Sequence, residues 1–417
     1  MNKKKFKVLV LSDHALSTSG VGVQTRHLIN GLLEKNKWSF RQFGAAIKHE
    51  NYDTQVINED FVIKPIDGFG NPDLIRVTLA TEKPDLLFIF TDPRFFYWLF
   101  DIEDEIHQVC PIVWWHVWDN YPFPRFNDDF YSATDKINCH SHLTYQMIKE
   151  DGKHKDKVSF IPHSIPSNIF HPLPENEVQS NKELLLGKER ADHFTALWVN
   201  RNAKRKRPSD ALWAWKIFLD GLERDYGHRN ATLIMHTEPT DPEGPNLFSV
   251  VEMFGLQNNV FFSRDRIEFD KMNVIYNICD ITFTTSYAEG FGLSTLESMM
   301  TGTPIVAPKT GGLTRQVVDH RDGSENGVAM PIEVKTLVGS QAVPYIYEDY
   351  VSCETVAKSI RKMHDLSKED KKILSDKVLN YASEEFRYQN TIDAWHESML
   401  GAIEEFKDYK SWEKFTI

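Results

Sequence analysis

Short apolar runs of β-type residues alternate with stretches of helical periodicity along nearly the whole chain, and this alternation restricts the fold more than any other feature. In the first half the apolar runs are 8–11, 86–90, 111–115, 136–139 and 158–161, with helical patterns such as 24–33 and 142–149 between them. A second set follows at 196–200, 232–236, 259–262, 280–284, 304–307 and 327–330, with helical patterns at 208–222, 270–278 and 294–300. Strand–helix alternation of this kind makes parallel βα units. Turn signals at Pro162 and Pro166, then Pro172, Pro174 and a polar run, predict a linker over 171–190. The expectation is an α/β protein with an N-terminal domain over 1–170 and a second over 191–387. A chain of 417 residues can fill two such cores. In doubly wound sheets ligands bind outside the carboxyl ends of the strands.

Composition narrows the function classes. The net charge of −12 argues against a general nucleic-acid binder, which needs positive charge for the phosphate backbone. No apolar run approaches the roughly 20 residues of a membrane span. The basic start leads at once into Val8-Leu9-Val10-Leu11, which reads as a first strand and not as a signal peptide. The expected location is cytoplasmic, a reading that leaves room for peripheral contact with a membrane. Four widely separated cysteines suit a reducing compartment. Cys139-His140-Ser141-His142 lacks a second ligand pair at zinc spacing, so no metal is assigned to it.

The stretch from Glu289 to Glu297 reads Glu-Gly-Phe-Gly-Leu-Ser-Thr-Leu-Glu, between a β-rich run and a helical pattern. Gly290 and Gly292 let a ligand approach the backbone, and a helix N-terminus favours a phosphate. Two flanking carboxylates can accept hydrogen bonds from hydroxyls, which together suggests a nucleotide or sugar nucleotide. Ser294 and Glu297 also fit a capping box, which needs no ligand. Near the N-terminus, Gly20 and Gly22 precede a helical pattern and could turn amides towards a phosphate, or simply make a tight turn. Thr25 stands where a dinucleotide fingerprint has its third glycine. Arg201 and Lys206 follow the run 196–200 and could stabilise charge on a leaving diphosphate; a solvated basic run is the other reading. The segment 114–122 is rich in aromatic residues, with His116, Trp118 and Asp119 able to meet sugar rings and hydroxyls. Core packing is the alternative there.

The 289–297 stretch, followed by Gly302-Thr303-Pro304-Ile305-Val306 and Gly311-Gly312, resembles the E-x7-E signature of family-4 retaining glycosyltransferases. Residues 161–170 are similar to that family's hinge segment, departing from it at His163 and Ser164. Arg201 and Lys206, five apart, resemble its Gly-Arg…Lys-Gly element, with Asn200 in place of the glycine. The resemblance implies a GT-B fold, two Rossmann-like doubly wound domains facing a central cleft, with a last helix within 388–417 completing the first domain. It implies that Glu289 contacts the transferred sugar, that Glu297 holds the ribose, and that Arg201 and Lys206 hold the donor phosphates. Gly20, Gly22, Gly290, Phe291, Gly292 and Leu293 would surround the donor. His116 would lie near the transferred sugar, with Trp118 and Asp119 on the acceptor side. No two aspartates stand two apart, so the Asp-x-Asp metal motif of the other major glycosyltransferase fold is missing. The expected activity is metal-independent, retaining transfer of a hexose-type sugar from a nucleotide-diphosphate sugar to a hydroxyl acceptor, without a cofactor. A sugar phosphorylase, a sugar-nucleotide epimerase or a non-catalytic nucleotide-sugar binder are the rival readings.

Overall fold

The structure is a computed structural model and describes residues 5–264 and 267–409. Their contacts divide them into two compact units. The first comprises Met1–Ser164, Gly339–Tyr345 and Tyr388–Ile417; the second comprises Ile165–Val338 and Ile346–Arg387.

The first unit is built on β1 (Phe6–Asp13), β2 (Trp38–Ala45), β3 (Gln55–Asn58), β4 (Phe61–Pro65), β5 (Leu86–Thr91), β6 (Ile112–His116), β7 (Lys136–Cys139) and β8 (Val158–Phe160). They form one sheet in the order β3-β4-β2-β1-β5-β6-β7-β8, parallel except where β3 runs against β4. Helices cover both faces, which is why β1 and β5 read as unbroken apolar runs. Successive residues still face opposite sides. Val8 and Val10 join Leu28, Trp115 and Trp395 in one core layer, while Leu9 and Leu11 join Leu87, Ile112 and Trp114 in the other. The helix Tyr388–Tyr409 supplies Trp395, whose ring lies 5.2 Å from Phe88 and 5.0 Å from Trp115. The end of the expected C-terminal helix, 410–417, lies outside the described residues.

Three of these strands, β2, β3 and β4, have no counterpart in the apolar pattern, and for the first two the reason is physical. β2 carries Arg41 and Gln42, yet Gln42 is buried and donates to Ser12 Oγ and to the Asp13 carbonyl, both at 2.8 Å. β3 is an exposed edge strand.

The second unit contains β9 (Phe194–Val199), β10 (Ala231–His236), β11 (Val260–Ser263), β12 (Ile281–Phe283), β13 (Ile305–Pro308) and β14 (Gly327–Met330). The sheet is parallel, in the order β11-β10-β9-β12-β13-β14. Chain order runs outwards in one direction from β9 and in the other from β12, so the topological switch point lies between these two strands. An antiparallel hairpin, β15 (Val334–Val338) and β16 (Ile346–Tyr350), follows.

The span 171–190, expected to be a linker, contains the helix Glu175–Leu186, and this corrects the sequence reading. Its polar residues occupy the solvent side, while Leu186 is buried in the second unit's core and Val178 packs against it. So few inward residues give no visible period. Among the described residues no helix is long and apolar enough to cross a membrane.

Candidate functional site at the switch point of the second unit

The loops leaving β9 and β12 meet beside the switch point. After β9 the chain forms a short 3-10 turn, Lys204–Lys206, and Arg207 then takes a left-handed φ of 50° before the helix Pro208–Tyr226. Thr285, just past β12, donates its hydroxyl to the Lys206 carbonyl at 2.8 Å and to the Arg207 carbonyl at 3.1 Å. These bonds tie the two loops together and bring Lys206 onto Glu289, where Nζ and Oε2 form an ion pair. Arg205 Nη1 donates to the Ala288 carbonyl at 2.9 Å and lies 3.5 Å from the same carboxylate oxygen. Both partners of the Lys206–Glu289 pair are largely enclosed, their side chains 11% and 14% exposed. Burial would raise the Glu289 pKa, but Lys206 and Arg205 outweigh it and hold the carboxyl below its ordinary value.

Arg201 is placed differently. Its guanidinium grips Asp241 through Nε at 2.8 Å and Nη2 at 3.2 Å, and Glu243 lies 3.7 Å from Nη1. In this conformation the second cation at Glu289 is therefore Arg205, while Arg201 is held by Asp241. The run of four cations 204–207 hides this choice in sequence, because one turn of backbone separates a side chain aimed at solvent from one aimed at the carboxylate.

The glycine turn behind Glu289 is held from beneath. Gly292 is the N-cap of the helix Leu293–Met300, with φ 92°, a conformation that favours glycine. The Gly312 amide donates to the Glu289 carbonyl at 2.9 Å, and a Cβ there would come within 2.3 Å of the Gly290 oxygen. Gln316, fully buried, donates to the carbonyls of Phe291 at 2.7 Å and Gly292 at 3.0 Å, and accepts from Thr295 Oγ1 at 2.6 Å. Phe291 turns its ring into the core, 5.7 Å from Phe386, so only its backbone faces the turn. Leu293 begins the helix, whose first-turn amides have no acceptor within it. Sequence marks Gly312 only as part of the family resemblance and does not mark Gln316; both act through backbone contacts that no residue pattern displays.

The capping box of Ser294 and Glu297 is not made, since the helix begins at Leu293 with no side-chain cap. Glu297 lies in the helix's second turn and accepts instead from the Tyr276 hydroxyl at 2.7 Å. Burial lifts its pKa to about 7 against the opposing effect of that hydrogen bond.

The first unit holds the remaining expected residues. Gly20 and Gly22 belong to the first turn of the helix Gly20–Leu33, which starts earlier than the periodicity indicated. Ser19 caps it, accepting from the Gly22 amide at 3.0 Å and donating to Asp13 Oδ2 at 2.6 Å. The Gly22 amide is thus already engaged, and the glycine answers a steric need: a Cβ would lie 2.5 Å from the His14 oxygen. His116 ends β6 with 0% exposure, its Nε2 2.8 Å from the Tyr131 hydroxyl. Burial drives its pKa far down, which favours the neutral imidazole. Trp118 is also buried, 5.7 Å from Phe126, while Asp119 is half-buried. His163 stacks on His140 at 4.5 Å and meets Trp115 edge-on at 4.5 Å, and the Ser164 carbonyl accepts from Gln24 at 3.1 Å. The His163 departure from the hinge pattern therefore serves packing, while Ser164 contributes its backbone.

Two doubly wound parallel sheets, one carrying a cation–carboxylate cluster and a glycine turn at its switch point, define an α/β protein of GT-B type. The family model described as "Glycosyl transferases group 1" matches residues 187–339 of the chain. The chain is 26% identical over 216 residues to an alpha-1,3/1,6-mannosyltransferase ALG2 of Dictyostelium discoideum, covering 48% of this chain and 51% of that one. It is 28% identical over 199 residues to a D-inositol 3-phosphate glycosyltransferase of Acidothermus cellulolyticus, covering 47% and 43%. The chain thus spans about half the length of the curated relatives it matches. Among solved structures, sucrose-phosphate synthase from Thermosynechococcus elongatus superposes with TM-score 0.66 at 14% identity over 98% of this chain and all of that one. Anabaena HepE in complex with UDP and glucose superposes with TM-score 0.65 at 16% identity, over 95% and 99%.

Proposed function

We propose that this protein is a family-4-type retaining glycosyltransferase that moves a sugar from a nucleotide-diphosphate sugar to a hydroxyl acceptor without a metal ion. The observation that carries the reading is the Lys206–Arg205–Glu289 cluster beside the glycine turn and the N-terminus of the helix Leu293–Met300. In the reaction the bond from the sugar's anomeric carbon to the diphosphate oxygen breaks and a bond to the acceptor oxygen forms on the same face. The acceptor proton passes to the departing diphosphate. Charge growing on that diphosphate needs fixed positive groups, and Lys206, Arg205 and the first-turn amides supply them. A phosphate arriving at Lys206 competes with Glu289 for the ammonium and frees the carboxylate to accept from a sugar hydroxyl. Arg201 would join once it exchanges Asp241 for phosphate. Glu297 would accept from the ribose. The relatives named as glycosyltransferases and the neighbour solved with UDP support a sugar-nucleotide donor. A cytoplasmic location, where sugar nucleotides are made, belongs to the same proposal.

The test is a melting-shift screen with UDP, GDP, ADP and their sugars, followed by transfer assays on the binder. Stabilisation by one nucleotide series with transfer to a hydroxyl acceptor supports the reading. Turnover only with inorganic phosphate, or with the donor alone, would replace it by a phosphorylase or an epimerase, and binding without any turnover by a non-catalytic binder.

A further inference from the structure

Tyr276 sits near the end of the helix Phe269–Asn277 with its ring fully buried, edge-on to Phe170 at 5.6 Å. Its carbonyl accepts from Thr303 Oγ1 at 3.0 Å, so backbone as well as ring is pinned. A phenol this deeply buried needs a partner. It has one: the hydroxyl donates to Glu297 Oε2 at 2.7 Å. The two residues lie on neighbouring helices and are joined by a side-chain bond with one charged member, the stronger kind. Glu297 has χ angles enough to swing its carboxylate through several ångströms, and this bond removes that freedom. The hydroxyl also favours the ionised form of a carboxyl that burial pushes towards neutrality.

We infer that Tyr276 is the positioning residue for Glu297: its hydroxyl holds the carboxylate in one orientation so that the remaining acceptor sites read the ribose hydroxyls of the donor nucleotide. This rests on the proposed sugar-nucleotide function and adds to it a residue that touches neither substrate nor reacting atoms. A donor lost from a preorganised acceptor should be felt only by ligands bearing the hydroxyls that acceptor reads.

The experiment measures dissociation constants by calorimetry for the wild-type protein and Tyr276→Phe. The probe is UDP, or GDP or ADP if the wild-type protein binds that more tightly, together with its 2′-deoxy and 3′-deoxy forms. Phe keeps the buried ring, so the fold is retained. In Tyr276→Phe, affinity for the ribonucleotide should fall by roughly 10–100-fold, the scale of one charge-assisted hydrogen bond, while affinity for at least one deoxy form stays within about two-fold. The ribose-to-deoxyribose preference then collapses. Equal weakening of all three ligands marks a merely structural tyrosine and overturns the inference while leaving the donor reading intact. Failure of the wild-type protein to bind any of the diphosphates overturns both. Glu297→Gln and the double variant close the cycle: removing the hydroxyl in the Gln background should cost no further preference, and additive losses would also overturn the inference.

Discussion

Replacing Lys206 by Met keeps the stem of the side chain and removes its charge, and the structure sets the size of the effect. Glu289 is left in a largely enclosed site with Arg205 at 3.5 Å as the neighbouring cation. Breaking a fully buried ion pair by removing one partner costs about 3–5 kcal/mol, whereas an exposed pair is worth about 0–1 kcal/mol. With roughly a tenth of each side chain exposed and Arg205 still in place, about 2 kcal/mol is expected. In a unit of this size that lowers the melting temperature by roughly 4–8 °C. Transfer should fall by roughly 10²–10³-fold, the scale of one lost transition-state donor. Adding Glu289→Gln removes the orphaned charge, so the double variant should regain most of the lost stability while transfer stays low. The pH dependence has a definite sign. Glu289's pKa is lowered on folding, so its stabilisation is present above the unfolded value of about 4.5 and is lost as pH falls through the folded one. The melting difference between wild type and Lys206→Met should therefore shrink below pH ~4. Calorimetric melting from pH 3.5 to 8, with a donor-turnover assay at neutral pH, measures all of this. A Lys206→Met protein that melts with the wild type at pH 7 would refute the reasoning.

Three other outcomes follow from the site. Arg205→Ala should reduce transfer at least as much as Arg201→Ala, which also releases the Asp241 loop; if steady-state rates show loss only for Arg201, the cation at Glu289 has been misassigned. Excess EDTA should leave most transfer intact, and activity that only Mg²⁺ or Mn²⁺ restores would show that the diphosphate charge is handled by a metal. Glu297's folded pKa of about 7 lies above the ordinary 4.5, so the native state holds this proton longer. Glu297's own contribution to stability should then be fully present below about pH 4.5 and be lost, by up to about 3 kcal/mol, as pH rises to about 7. Donor affinity should strengthen over pH 6–8 as the carboxylate ionises, and calorimetry on Glu297→Gln should show that dependence flattened.

The alternation of apolar and helical segments was enough to determine two doubly wound α/β units and most of their strands, because strands covered on both faces by helices are apolar at most positions. The E-x7-E stretch was legible for a related reason: a strand end, a glycine turn and a helix start follow one another in sequence, so their chemistry is local. Residues beyond the reach of that reading are those whose role comes from a distant partner. β2 is masked by Gln42, whose polarity is satisfied by β1 and the turn that follows it. Arg205 stands at Glu289 because a single 3-10 turn aims it at the carboxylate, while Arg201, before that turn, is held by Asp241. His116 meets the Tyr131 hydroxyl because β6 ends against that side chain. Glu297 turns to Tyr276 instead of capping its helix because Gly292, not Ser294, sets where that helix begins. Period and motif are properties of neighbours along the chain. Burial, pairing and pKa belong to neighbours in space, and only the tertiary structure decides who these are.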